Sequence, residues 1–145
     1  METQLLFGEA DQKRIVAAIH QAELQTSGEV RVHIEALCPT DDVLLRAQEL
    51  FAELGLHRTA LQNGVLFYLA TQSRKFAVIG DKGIDQKVPA GFWDAVKETL
   101  RGHFSAGQFT DGFCVGIELA GNQLKTYFPR QADDKNELPD DISFG

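Results

Sequence analysis

Apolar positions along this chain repeat with a period that changes from segment to segment, and each change marks a new element. Over residues 9–25, Ile15, Ala18, Ile19, Ala22 and Leu24 fall mostly at three- and four-residue spacing, which predicts a helix broken by Thr26-Ser27-Gly28. Residues 29–37 alternate instead: Val30, Val32, Ile34 and Ala36 face one way, and Arg31, His33 and Glu35 the other. That is the pattern of a strand with one buried face. Pro39 stops it, and Thr40 or Asp41 offers a side-chain oxygen to cap a second helix. The stripe of this helix is Leu44, Leu45, Ala47, Leu50, Phe51 and Leu54, and Gly55 ends it. The turn Gln62-Asn63-Gly64 leads into a fully apolar strand at 65–70, and Thr71-Gln72-Ser73-Arg74 forms a hairpin into a third strand at 75–80. Gly80-Asp81-Lys82-Gly83 reads as a tight loop whose glycines admit positive φ. Two more helices follow, over 89–104 and 109–127.

The order is therefore α-β-α-β-β-α-α. A right-handed crossover makes strands 1 and 2 parallel, the hairpin makes strand 3 antiparallel, and helices on both faces give a three-layer α/β/α sandwich. Residues 1–128 form this α/β domain. From 129 to 145 the chain turns acidic and contains proline, with few large apolar residues, so a flexible tail is expected.

Composition changes the picture in three ways. The 145 residues suit one domain with one core. A formal net charge of −7, with no basic run, argues against nucleic acid and for cations or basic partners. Cys38 and Cys114 sit in apolar contexts outside any CxxC, which favours buried free thiols in a reducing compartment over a disulfide or metal ligands. The opening METQLLFGEADQKR lacks a basic n-region, and the longest apolar run, 65–70, is too short to cross a bilayer. A cytoplasmic monomer without membrane insertion, acting through an unknown protein partner, is the expectation.

Candidate chemistry follows from the topology. The starts of strands 1 and 2 and the finish of strand 3 lie at one end of the sheet, so Glu29, Asp81 and Asp85 can converge there with Asn63 nearby. Three carboxylates and an amide oxygen suit a hard cation, Ca²⁺ or Mg²⁺, held weakly because six to eight oxygens are not guaranteed. The plainer readings are open beside it: Asp81 as a turn residue, Glu29 as a strand-edge charge, Asp85 as a helix cap. The loop lacks the alternating acids of an EF-hand. His20, His33, His57 and His103 have no zinc spacing, and His20 and His103 read as helix-surface residues. Asp41-Asp42 lies at the other end of the sheet and reads as a cap with a dipole-favoured charge. Tail residues Asp133, Asp134, Glu137, Asp140 and Asp141 can hold cations loosely or simply stay solvated. The motif of histidine phosphatases, the cysteine-phosphatase loop, GxSxG and the P-loop are all missing from the sequence.

Ser27-Gly28-Glu29-Val30-Arg31-Val32, Asn63-Gly64-Val65-Leu66, Arg74-Lys75 and Gly80-Asp81-Lys82-Gly83-Ile84-Asp85 resemble the TPM domain. Phe104, Gly107, Phe109, Gly112 and Gly116 continue the match, which spans about residues 8–125. The family includes a thylakoid-lumen acid phosphatase linked to photosystem II repair and many bacterial members, and divalent-metal binding is associated with some of them. Relatives mostly carry a signal peptide and often a transmembrane segment, and often an aspartate where this chain has Ser73. The resemblance thus implies a divalent-cation-binding accessory or protein-interaction module. The alternative is a metal-assisted acid phosphatase acting on phosphate monoesters, for which Lys82 or Lys87 would have to hold the phosphate.

Overall fold

The computed structural model describes residues 7–130 and 142–145. The chain runs through α1 (Glu9–Glu23), β1 (Glu29–Glu35), α2 (Val43–Glu53), a 3-10 turn (Leu56–Arg58), β2 (Gly64–Ala70) and β3 (Lys75–Gly80). It continues through α3 (Lys82–Asp85), α4 (Phe92–Ser105), α5 (Phe109–Tyr127) and β4 (Ile142–Phe144). Four strands form one mixed sheet in the order β3-β2-β1-β4. β1 pairs parallel with β2 and with β4, and β2 pairs antiparallel with β3. The expected parallel crossover and hairpin are both present. The fourth strand is a departure from the three expected, and it comes from the segment read as a tail; residues 131–141 lie outside the described residues.

Two cores flank the sheet. On one face Val30, Val32, Ile34, Val65, Phe67, Leu69 and Val78 pack against Ile15 and Ile19 of α1, Val96 and Leu100 of α4, and Phe113, Ile117, Ala120 and Leu124 of α5. Phe7 joins this core against Phe109 and Phe113, with ring centroids 6.3 and 6.2 Å away. On the other face Leu66, Tyr68, Ala70 and Ala77 meet Ala47, Leu50 and Phe51 of α2 and Leu56 of the 3-10 turn. Both faces are covered, so β1 and β2 are buried along their whole length.

This corrects the expectation of a half-solvated first strand. Arg31, His33 and Glu35 are buried on the face of the sheet that carries α2, with β2 alongside and β4 paired from Val32 to Ile34. Strict alternation marks two different faces, and it does not say that the polar one meets water. α2 is capped by Asp42, not Thr40 or Asp41: its carboxylate accepts from the amides of Leu44 and Leu45 at 3.0 and 3.3 Å. The glycines of Gly80-Asp81-Lys82-Gly83 do not use positive φ. They permit close approach instead. A Cβ on Gly83 would overlap the Leu61 carbonyl oxygen, and one on Gly80 would press on Trp93 and Ile84. Cys38 and Cys114 are free and half-buried.

Candidate functional site

The residues expected to converge sit on elements whose register is now defined. Glu29 pairs with Gly64 across β1 and β2, and the Asp81 amide donates to the Gly64 carbonyl at 2.9 Å. Glu29, Gly64 and Asp81 therefore form one transverse row at the amino end of the parallel strands. Paired residues in a row share a face, so both carboxylates rise on the α2 side with a glycine between them. The space above that glycine is filled: a Cβ there would lie 3.0 Å from the Leu56 carbonyl oxygen. Leu56 thus stands between the Glu29 and Asp81 side chains.

Each of the four has its own surroundings. Asp81, 7% exposed, precedes α3 and accepts from the Lys82 amide at 2.8 Å through Oδ1. Its Oδ2 lies 3.4 Å from Nδ1 of the exposed His57. Asp85 accepts from the Trp93 indole N–H at 3.1 Å. Asn63 is buried, donates from Nδ2 to Ser27 Oγ at 3.2 Å, and leaves its buried Oδ1 with no hydrogen-bond partner. Glu29 is buried at the start of β1. Asp81 and Asp85 do come together, lining one groove of about 460 Å³ with His57, Lys82, Trp93 and Lys97. Glu29 and Asn63 are not among its lining residues. Among the described residues, no group of three or more His, Cys, Asp or Glu side chains is placed to hold a metal ion. A cation at Asp81 would have to complete its shell with water and backbone carbonyls.

The pairing of His57 with Asp81 escaped the sequence reading because the two are 24 residues apart and His57 belongs to a turn too short to show periodicity. So did a second polar cluster at the other end of β1. Arg46 of α2 donates to both Glu35 oxygens at 2.9 Å, and the Tyr68 hydroxyl donates to Glu35 Oε2. His33 Nε2 lies 3.6 Å from Glu35 Oε1, and its Nδ1 is 2.7 Å from Ser143 Oγ of β4. Burial pushes the Glu35 carboxyl up, but the hydrogen bonds from Arg46 and Tyr68 outweigh it and hold the group below the usual range. Burial holds the His33 imidazole below its ordinary value despite Glu35. Burial and the bond to Glu35 push the Tyr68 phenol well up, and the Glu35 bond does the same for Arg46. Ser143, His33 and Glu35 have the composition of a hydrolytic triad. The Ser143 hydroxyl also donates to the Val32 carbonyl at 3.3 Å, and His33 is enclosed, so the arrangement fastens β4 to β1.

No helix among the described residues is long and apolar enough to cross a membrane. In comparison with known proteins, the chain is similar to the BA42 protein of the psychrophilic bacterium Bizionia argentinensis, solved by NMR. The two are 45% identical, with a TM-score of 0.86 over 94% of this chain and 93% of that one. It also shares its fold with the N-terminal domain of the cg2496 protein of Corynebacterium glutamicum, at 15% identity and a TM-score of 0.66, over 90% of this chain and 80% of that one. No curated protein matches the chain. The family model described as the TPM domain matches residues 2–123, nearly all of the sandwich from α1 through most of α5, and the chain belongs to the TPM domain family.

Proposed function

We propose that this TPM domain is a binding module, and that it carries a weak, largely hydrated divalent-cation site at the amino end of β1 and β2. The observation that supports this most is the Asp81 carboxylate. It is nearly buried, yet lines a groove, and only its Oδ1 is engaged at short range, by the Lys82 amide. Oδ2 meets His57 at a long 3.4 Å, which leaves it able to take a hard cation. Asp85 stands on the same groove and adds a second charge. Leu56 keeps Glu29 apart from Asp81, so the shell within reach is small and millimolar affinity of a weak site, about 10⁻⁴–10⁻³ M, is expected.

The groove supplies Lys82 and Lys97 as cationic groups, but Asp81 and Asp85 oppose them. That balance suits a cation and a protein partner better than a phosphate monoester. Thermal unfolding with and without Ca²⁺ or Mg²⁺ tests the reading, since a ligand that binds only the folded chain stabilises it by about 2.7 kcal/mol at a hundredfold excess over its dissociation constant. The stabilisation should vanish in Asp81→Asn while the metal-free melting point stays near that of the parent. Equal stabilisation of the parent and Asp81→Asn would refute the site.

A further inference from the structure

At the opposite end of the sheet, where β2 turns into β3, lies a larger cavity of about 620 Å³. Its walls come from Phe76 of β3, Phe104 of α4 and Phe109 of α5, and its rim carries Arg74 and Arg101. The phenylalanines form a continuous aromatic surface: Phe76 meets Phe104 edge-on at 5.3 Å, and Phe104 meets Phe109 at 5.6 Å. Arg101 lies over the Phe76 ring, with Cζ 5.4 Å from its centroid. Arg74 has no ion-pair or hydrogen-bond partner among the described residues and sits in the hairpin with φ +56°, a region that L side chains rarely adopt. Thr71 and Ser105 add hydroxyls, and Thr71 Oγ1 is buried without a hydrogen-bond partner.

We infer that this cavity binds a small organic carboxylate with a flat apolar body. Its size falls in the range of small-molecule sites, and an apolar lining with a few polar groups at one edge is their usual make-up. Guanidinium groups with free N–H donors recognise carboxylates in charge-assisted pairs, and the aromatic wall takes the body of the ligand. Charge selects the monoanion. Glu98 lies 3.3 Å from Arg101 Nε and offsets one of the two positive charges, leaving a rim of net +1. A carboxylate balances that charge, whereas a phosphate monoester dianion would exceed it. On a chain of net charge −7, a locally positive rim also draws an anion towards this end of the sheet.

Titration of the isotope-labelled protein with phenylacetate, 2-phenylethanol and phenyl phosphate, followed by amide-resolved NMR, tests the assignment. Phenylacetate should give saturable shifts at Thr71, Arg74, Phe76, Phe104 and Ser105, and bind more tightly than either comparison compound. Arg74→Gly should weaken it at least about tenfold, since a charge-assisted pair is lost. Glycine adopts φ +56° freely, so this variant keeps the hairpin and its urea midpoint should not fall. Absence of saturable shifts, unchanged binding in Arg74→Gly, shifts centred elsewhere, or tighter binding of phenyl phosphate would each overturn the proposal.

Discussion

Replacing Arg46 with methionine should cost a large share of the domain's stability. The substitution keeps the apolar stem and removes only the guanidinium, which makes two 2.9 Å bonds to Glu35. Hydrogen bonds to charged groups contribute about 1.5–3 kcal/mol each, and stripping one partner from a buried ion pair costs about 3–5 kcal/mol. Tyr68 still donates to Glu35, so part of the charge stays satisfied. We expect a loss of about 2–4 kcal/mol at pH 7, a large share of the roughly 5–15 kcal/mol that holds a domain together. The pH dependence adds a second check. In the parent, the Glu35 carboxyl is held below its ordinary value of 4.5, so its contribution is present above that pH and is lost as pH falls through the folded value. Without Arg46 the strongest opposition to burial is gone, so the carboxyl moves up from its value in the parent and less of this contribution remains. The difference between parent and variant should therefore be largest near neutrality and vanish as pH falls through the parent's folded value, where Glu35 is protonated in both. Urea unfolding at several pH values measures both. A loss under about 1 kcal/mol at pH 7, typical of a solvent-screened pair, would refute the reasoning.

Gly83→Ala should destabilise the fold by about 2 kcal/mol or more, because the added methyl overlaps the Leu61 backbone carbonyl, which cannot swing aside as a side chain can; a urea midpoint close to that of the parent would contradict this. Removing residues 142–145 should strip β4 from β1 and free His33 from Ser143. With the ring opened to water, its titration, followed by NMR, should move up towards 6.5. In the parent, an imidazole held down by burial costs stability as pH falls below 6.5, with Glu35, Arg46, Tyr68 and Ser143 as the groups that face it.

The elements were legible where their physics is local. The 109–127 helix follows its apolar positions and the 75–80 strand is bounded by its hairpin turn and Gly80, and both have their observed ends. β4 was hidden because three residues, Ile142, Ser143 and Phe144, show no period, and only pairing with β1, 110 residues earlier in the chain, makes them a strand. The burial of Arg31, His33 and Glu35 was hidden for a related reason: what satisfies Glu35 is Arg46 on the next helix and Tyr68 on the next strand. At the candidate site, topology put Glu29, Asn63, Asp81 and Asp85 at one end of the sheet, but only Asp81 and Asp85 line a common groove. It could not foresee that Leu56, from a 3-10 turn with no sequence signature, would fill the space over Gly64. The Asp81–His57 contact was invisible on the same grounds.

An amide-resolved NMR titration of metal-free protein with Ca²⁺ and then Mg²⁺ tests the binding-module account most directly. The account predicts saturable shifts centred on Asn63, Gly80, Asp81 and Asp85, with His57 moving alongside, and none at the Arg74 end of the sheet. Shifts confined to the acidic segment 131–141, or no saturable shifts, would contradict it.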